Sequence, residues 1–201
     1  MNILAHAYLS DRQPGFVIGN FIGDFIKGDP ESPRHHLTPA EVAGVRLHRA
    51  IDTFTDAHPD VAAVRALLHP RCHKYAGAAV DIFFDHFLAV DFQRLTGEPL
   101  AEFVPDFYQT LQENTLRLPL AAGRMADYMI RQDWLTNYQF AEGIDRSLKG
   151  VSRRTAYPSG LDMAIIDFTE YYFQIARHFT LFWPALVDHC QQKRTLLLSR
   201  L

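Results

Sequence analysis

Three stretches of the sequence with helical apolar spacing carry ionisable residues whose types and spacing could do chemistry. They are GNFIGDFIKG (19–28) with Asp24, RLHRAIDTFTDAHP (46–59) with His48 and Asp52, and AGAAVDIFFDHFLAV (76–90) with Asp85 and His86. Burying an ionised carboxylate without a partner is costly, so acids in buried helices require cations or hydrogen-bond donors. We therefore expect the three stretches to come together around one cation in the folded protein.

The spacing within two of these stretches places ionisable groups on a common helix face. His48 and Asp52 are four residues apart, as are Asp81 and Asp85, and His86 follows Asp85 directly. Side chains four residues apart project from the same side of a helix and can hold one ion. Each pair also has an ordinary explanation, either a helix salt bridge or a His–Asp hydrogen bond at a helix edge. Taken together, the groups are better explained by a metal or catalytic role.

The residue types indicate which metal such a centre would hold. Carboxylates and imidazoles, with no thiolate in the set, suit Mn²⁺, Mg²⁺ or Fe²⁺ better than a structural zinc ion. Such an ion acidifies water and neutralises charge on a phosphoryl oxygen, which is the chemistry of a metal-dependent hydrolase. His6, in the apolar stretch NILAHAYL (2–9), is by default a hydrogen-bonded core histidine.

Apolar residues recur at helical spacing between Pro and Gly breaks, and no segment alternates like a β-strand. The expected helices cover 15–28, 39–55, a short segment after Pro59, 74–96, 99–114, 119–133, 140–150, 159–173 and 173–199, the last bending at Pro184. The sequence contains no repeat and no domain linker. We therefore predict one all-α domain, residues 1–201, built as a bundle of about eight or nine helices.

Two of these helices matter most for the ionisable residues. In the first, Gly19 and Gly23 leave one face bare, so a neighbouring helix can approach closely and Asp24 should project into the bundle interior. The helix that contains 76–90 is apolar nearly all round, which is typical of a central, buried helix.

The composition excludes several classes of protein. A chain of 201 residues with a net charge of −3 gives no basis for nucleic-acid binding. No apolar run reaches the roughly 18 residues of a membrane span, and the N-terminus lacks the basic and apolar regions of a signal peptide. Cys72 and Cys190 match no metal or redox spacing, so both are expected to be free thiols in a reducing, cytoplasmic compartment. Nothing in the sequence indicates an oligomeric state.

The combination of motifs resembles the acyl carrier protein phosphodiesterase family, also called ACP hydrolases. The matching segments, in order, are MNILAH, GNFIGDFIKG, RLHRAIDTFTDAHP, DIFFDHFLA, QDWLTNY (132–138) and GVSRRT (150–155). The resemblance implies an all-helical fold distantly related to the HD phosphohydrolase superfamily. It also implies a Mn²⁺-dependent hydrolysis of the phosphodiester that joins 4′-phosphopantetheine to a serine of acyl carrier protein. The products would be the apo-carrier protein and free 4′-phosphopantetheine.

The resemblance also implies which residues form the metal centre. Carried onto this chain, the family's motifs fall on Asp24, His48, Asp52, Asp85 and His86, with His6 as a weaker member. The chain departs from HD enzymes in lacking an adjacent His–Asp doublet, because His48 and Asp52 are separated and Asp85 precedes His86. The division between metal ligands and residues that orient them is therefore left open.

Arginines near these motifs are candidates for binding the phosphate or the acidic carrier protein. They are Arg46 and Arg49, which flank His48, and Arg153 and Arg154 in the SRR stretch. Guanidinium groups match phosphodiester oxygens in geometry and an acidic protein surface in charge. For Arg46 a solvated helix face explains the residue equally well, whereas for Arg153 and Arg154 phosphate or partner binding is favoured.

Two other functions fit the same residues. An HD-type phosphohydrolase acting on a nucleotide or another small phosphodiester would use the same metal centre. A helical protein that captures the carrier protein without chemistry would need no metal and would hold Asp24 and Asp85 in ordinary salt bridges. No serine or cysteine motif marks a nucleophile, so the favoured mechanism is direct attack of water on phosphorus without a covalent enzyme intermediate.

Overall fold

The computed structural model describes residues 2–199 and 201, and every regular element in this part of the chain is helical. Its α-helices are α1 (Ile3–Leu9), α2 (Pro14–Phe21), α3 (Pro39–Ala57), α4 (Pro59–Cys72), α5 (Ala76–Val90), α6 (Phe92–Thr96), α7 (Leu100–Glu113), α8 (Leu120–Arg131), α9 (Trp134–Asn137), α10 (Ala141–Ser152), α11 (Ile165–Glu170) and α12 (Tyr172–Leu198). Short 3₁₀ turns occupy Gly23–Phe25, Pro33–His35, His73–Tyr75, Thr115–Arg117 and Leu161–Met163. The all-α prediction is confirmed.

The described residues form twelve α-helices instead of eight or nine, because breaks divide some of the expected segments. The segment expected over 74–96 begins with a 3₁₀ turn, and Asp91 separates α5 from α6. Helix α1 lies in the NILAHAYL stretch, whose pattern alone does not predict a helix. The helix expected over 15–28 already ends at Phe21, with consequences for Asp24 that are described below.

Helix α3 begins at the Thr38–Pro39 pair, as its sequence predicts. The Thr38 side chain accepts a hydrogen bond from the backbone N–H of Glu41, and the Glu41 carboxylate accepts one from the N–H of Thr38. This reciprocal capping box satisfies two backbone donors that would otherwise be unpaired. Arg117 forms an ion pair with the same carboxylate and joins α3 to the turn before α8. The start of α3 is therefore firmly held.

Helices α2 and α3 pack closely because glycines lie at their crossing. A Cβ atom on Gly19 would lie 2.1 Å from the carbonyl oxygen of Glu41, and one on Gly44 would lie 2.4 Å from that of Phe16. No larger side chain fits at either position without movement of the backbone. The close approach expected at Gly19 is confirmed, and it brings the last turns of α2 against the first two turns of α3.

Helix α5 occupies the centre of the hydrophobic core, as its all-round apolar sequence predicts. Phe83, Phe84 and Leu88 have no exposed surface, and α5 packs against α1, α4, α10 and α12. Helix α12 continues through Pro184 and covers α3, α4 and α5. Among the helices described here, none is both long and apolar enough to cross a membrane.

Candidate metal centre

Two histidines and a carboxylate meet where α1 and α3 approach each other. His6 comes from α1, and His48 and Asp52 lie one turn apart on α3. The Nε2 atom of His6 is 3.2 Å from one oxygen of Asp52, and the Nε2 atom of His48 is 3.1 Å from the other. The centroids of the two imidazole rings are 4.3 Å apart. Ligand atoms of the three residues all lie within 4.8 Å of one another, so the cluster could hold a metal ion.

Asn20, in the last turn of α2, holds both imidazoles from behind. Its Oδ1 atom lies 2.8 Å from Nδ1 of His6 and 3.2 Å from Nδ1 of His48. Its Nδ2 group donates to the carbonyl oxygen of His6 at 3.1 Å and to Oγ of Ser10 at 2.6 Å. Ser10 in turn donates to the carbonyl oxygen of His6. The buried Asn20 amide therefore makes hydrogen bonds with both of its polar atoms.

These contacts determine which imidazole nitrogens face the cluster. A carbonyl oxygen only accepts hydrogen bonds, so Nδ1 of His6 and Nδ1 of His48 must each carry a hydrogen. In a neutral imidazole the other nitrogen, Nε2, has a lone pair, and both lone pairs then face the Asp52 carboxylate. Such an arrangement is repulsive unless a proton or a cation lies between the groups. Histidines that ligate metals are usually held in this way through their rear nitrogen.

Without an ion, protons take the place of the cation. Burial opposes protonation of His48, but its hydrogen bonds with Asp24 and Asp52 outweigh burial and raise its pKa to about 9. Burial lowers the pKa of His6, and the opposing hydrogen bond with Asp52 is weaker than this effect. For Asp52, burial favours a higher pKa, yet hydrogen bonds from His48 and His6 hold the pKa well below its usual value. A metal ion binding here would compete with the proton on His48.

Asp24 lies at the outer side of the cluster and not in the interior, so the prediction of a buried Asp24 is wrong. Helix α2 ends at Phe21, and Asp24 lies in the 3₁₀ turn that follows, with a side chain that is 81% exposed. Gly23 allows this turn to pass over His48, because a Cβ atom there would come within 2.2 Å of the ring. The Asp24 carboxylate is 3.4 Å from Nε2 of His48, and this hydrogen bond lowers its pKa. Water solvates the charge that the sequence pattern places in the core.

The structure does not bring Asp85 into the cluster. Asp85 is fully buried, and its oxygens accept hydrogen bonds from the backbone N–H groups of Leu4 at 2.8 Å and Ala5 at 3.3 Å. These donors belong to the first turn of α1, where no intrahelical acceptor exists, so Asp85 caps that helix across 81 residues of sequence. Burial raises the pKa of Asp85 to about 7, against the opposite effect of the two backbone donors. Backbone donors, not a cation, therefore satisfy this buried acid.

His86 likewise has partners outside the cluster. Its Nδ1 atom is 2.8 Å from the carbonyl oxygen of Tyr138, and its Nε2 atom is 3.1 Å from the hydroxyl of Tyr172. Its ring packs edge-on against Phe168, and burial lowers its pKa. The structure thus gives His86 the contacts of a core histidine. His6, by default a core histidine and through the resemblance a weaker candidate ligand, lies in the cluster.

We expect Asp85→Asn to lower the free energy of unfolding by about 1–3 kcal/mol. The amide offers one acceptor oxygen in place of two, so one N–H of α1 loses its partner. Titration of the folded variant with Mn²⁺ should give the same result as titration of the unchanged protein. Urea unfolding measures the free energy of unfolding, and calorimetric titration measures Mn²⁺ binding. Loss of Mn²⁺ binding in a folded Asp85→Asn variant would show that Asp85 is a metal ligand after all.

A cavity of about 570 Å³ opens beside the cluster. Its lining includes the polar residues His6, Asn20, Asp24, His48 and Asp52. Three exposed arginines from α10 and the residues just after it line the same cavity: Arg146, Arg153 and Arg154. The volume lies within the roughly 300–1,000 Å³ of small-ligand sites. The structure therefore brings Arg153 and Arg154 to the same site as the cluster.

Arg46 and Arg49 lie outside the described lining of this cavity. Arg46 forms an ion pair with Glu31 at 2.8 Å. Arg49 donates to the carbonyl oxygens of Ile26 at 2.9 Å and Gly28 at 2.8 Å. Both arginines hold the loop between α2 and α3, so the structure gives them loop contacts in place of the expected phosphate contacts.

Two residues of the site were not predicted from the sequence as site residues. Asn20 is a polar residue within an apolar helix, so the argument applied to Asp24, that a buried polar group needs partners, selects it as well. Arg146 precedes Arg153 by seven residues, a separation that places both on one face of a helix. The polar residue and the spacing can both be seen in the sequence, but they indicate a site only once the structure places these residues near the His6–His48–Asp52 cluster.

Fold and site together define an all-helical protein with a candidate catalytic metal centre. In zinc enzymes, three protein ligands beside an open position mark a catalytic site, whereas structural sites are closed by a fourth protein ligand. The chain belongs to the acyl carrier protein phosphodiesterase family, whose profile matches residues 1–186. The resemblance seen in the sequence motifs is confirmed.

Relatives named acyl carrier protein phosphodiesterase align along nearly the whole chain. The Serratia proteamaculans protein is 32% identical over 198 residues, which cover 96% of this chain and 100% of the relative. The Photorhabdus laumondii subsp. laumondii protein is 29% identical over 194 residues, 96% of each chain. The Escherichia coli O157:H7 protein is 30% identical over 197 residues, 96% of this chain and 99% of the relative. No solved structure matches this chain, and kinship with HD enzymes stays a prediction.

Proposed function

We propose that this protein hydrolyses the phosphodiester joining 4′-phosphopantetheine to a serine of acyl carrier protein. The observation that carries the proposal is the His6–His48–Asp52 cluster, which opens into an arginine-lined cavity in a chain of this family. Water adds to phosphorus, the bond between phosphorus and the serine oxygen breaks, and that oxygen takes a proton. The products are the apo-carrier protein and 4′-phosphopantetheine.

A divalent cation, with Mn²⁺ favoured over Mg²⁺ or Fe²⁺, suits the donor atoms of the cluster. His6 and His48 would hold it through Nε2 and Asp52 through its carboxylate, with Asp24 on the outer side. Asn20 keeps hydrogen on both Nδ1 atoms, which leaves both Nε2 lone pairs available. When bound, such an ion supplies positive charge for the phosphoryl oxygens and acidifies water.

Other residues at the cavity bind the phosphate and orient water. Arg146, Arg153 and Arg154 offer guanidinium groups to the two non-bridging oxygens of the diester. The ionised Asp24 carboxylate accepts a hydrogen bond from water at the mouth of the site and orients that water for attack. The same arginines attract the acidic surface expected of the carrier protein.

Arg154→Ala should raise the KM for holo-carrier protein about tenfold, a usual effect of losing one charge-assisted hydrogen bond. Mn²⁺ affinity should not fall, because an arginine does not ligate a cation. The control is Arg46→Ala, which removes an arginine paired with Glu31 outside the described cavity lining. Steady-state kinetics measure both variants, and equal increases in KM would indicate general charge attraction in place of a phosphate contact.

Mass spectrometry of the carrier protein tests the proposed reaction. The purified protein is incubated with holo-carrier protein with and without Mn²⁺, and the mass of the carrier protein is followed. A Mn²⁺-dependent loss of one phosphopantetheinyl group, absent with His48→Ala, supports hydrolysis of this bond. An unchanged mass despite bound Mn²⁺ points to a nucleotide or another small phosphodiester. An unchanged mass without bound metal leaves a protein that binds the carrier without chemistry.

The proposal places the reaction in the cytoplasm. Cys72 and Cys190 are buried free thiols, and burial raises their pKa values to about 11 and about 12. Buried, protonated thiols without a disulfide partner are typical of proteins kept in a reducing compartment. This feature supports the location and plays no part in the chemistry.

A further inference from the structure

The cavity beside the cluster has an apolar wall that phosphate binding alone does not require. Its aromatic and aliphatic members include Phe21, Phe25, Phe107, Met125, Tyr128 and Trp134. A diester group and a water molecule occupy only a small part of a volume of about 570 Å³. Apolar walls with a few polar groups are typical of sites for an organic ligand. The remaining space therefore suits an organic part of the substrate.

The exposure of the cluster determines how a carrier-bound diester enters. The side chains of Asp24 and Asp52 are 81% and 40% exposed, whereas those of His6 and His48 are 9% exposed or less. The cluster therefore lies close to the mouth of the site. Only one serine side chain separates phosphorus from the surface of the carrier protein, so phosphorus has to stay near this mouth. The pantetheine arm leaves phosphorus on the opposite side and extends away from the carrier protein.

Polar groups of the cavity match the amides of that arm, and Gln132, Asn137 and Ser147 line it. The Nδ2 group of Asn137 donates to the carbonyl oxygens of Gln132 and Asp133 at 3.2 and 2.8 Å, which orients Oδ1 as an acceptor. Ser147 donates to the carbonyl oxygen of Gly143 and its side chain also hydrogen-bonds with Tyr138, so its oxygen retains one lone pair as an acceptor. Resting on the function proposed above, we infer that the apolar wall and these acceptors bind the pantetheine arm of the carrier protein.

Gly150 offers a way to fill this space without disturbing the cluster. Residues of α10 and its C-terminal end that line the cavity fall on one helix face, each at a separation of three, four or seven positions from another member: Gly143, Arg146, Ser147, Gly150, Val151, Arg153 and Arg154. Gly150 lies within this face, and apart from its two chain neighbours and the adjacent helix backbone no described atom lies within 4 Å of a Cβ built on it. A larger side chain therefore extends into the cavity, and replacing a helical glycine also favours the helix.

We expect Gly150→Leu to raise the KM for holo-carrier protein about tenfold, as added methylene groups do in a ligand pocket. Calorimetry should show that free pantetheine, which lacks the phosphate, binds the unchanged protein and binds the variant more weakly by a similar factor. The Mn²⁺ affinity should be unchanged. Gly123→Leu on α8 is the matched control, because a Cβ there lies 3.9 Å from Leu118, an ordinary contact, and the residue lies outside the described lining.

The outcomes distinguish a failure of the proposed pantetheine-binding surface, here called the arm site, from a failure of the proposed reaction. Gly150→Leu with unchanged KM and unchanged pantetheine binding would overturn the inference. Loss of Mn²⁺ binding in Gly150→Leu would overturn it as well, since the residue would then support the cluster. If the unchanged protein releases no arm, the proposed reaction fails. Pantetheine that binds the unchanged protein but not Gly150→Leu would still support the arm site.

Discussion

Asp52→Asn is expected to abolish measurable Mn²⁺ binding and to slow release of the prosthetic arm on the order of 10³-fold. Asp52 contacts both Nε2 atoms of the cluster, that of His6 at 3.2 Å and that of His48 at 3.1 Å. Asparagine has nearly the same shape, so the fold should persist. It removes the negative charge and replaces one oxygen with an NH₂ donor, which cannot ligate a cation. Titration calorimetry and the mass of the carrier protein measure the two losses.

Asp127→Asn is the matched control for this substitution. Asp127 lies on α8 outside the described cavity lining, is paired with Arg131 at 3.2 Å and has a side chain that is 72% exposed. An exposed ion pair contributes little, so this variant should fold, bind Mn²⁺ and release the arm as the unchanged protein does. If Asp52→Asn still bound Mn²⁺ as tightly as Asp127→Asn, the metal centre described above would be wrong.

Asn20→Ala is expected to weaken Mn²⁺ binding by about 10–100-fold, the usual effect of removing a group that orients metal ligands. Asn20 Oδ1 contacts Nδ1 of both His6 and His48, so its loss releases two imidazoles together. Each ring can then rotate or carry its hydrogen on Nε2, which removes the lone pair that faces Asp52. The free energy of unfolding should also fall by about 1–3 kcal/mol, because buried partners lose their hydrogen bonds.

Ser10→Ala separates the loss of orientation from the loss of stability. Ser10 accepts a hydrogen bond from the Asn20 amide at 2.6 Å, on the side away from the imidazoles. Removing the hydroxyl should destabilise the protein and leave the Asn20 carbonyl in contact with both rings. Calorimetric titration of the two folded variants decides the question. Equal Mn²⁺ affinities in Asn20→Ala and Ser10→Ala would show that Asn20 acts only through the stability of the fold.

Local patterns in the sequence are sufficient to predict the all-α architecture and part of the candidate site. Helical spacing of apolar residues predicts the all-α fold, and the Thr38 cap predicts where α3 begins, because both depend on neighbours within a turn or two. The four-residue separation of His48 and Asp52 places them together for the same reason. Arg153 and Arg154, which also line the cavity, are selected through the resemblance to the family at the SRR stretch and not through spacing.

Tertiary structure alone decides what surrounds each ionisable group. Asp24 and Asp85 both lie in apolar sequence, yet the first is solvated outside the end of α2 and the second caps α1 from 81 residues away. His6 and Asn20 join the cluster because α1, α2 and α3 pack together, not because of any spacing along the chain. A buried charge requires a partner but does not specify it, since hydrogen-bond donors and cations satisfy a carboxylate equally. The sequence therefore identifies which residues need partners, and the packing of the helices determines what those partners are.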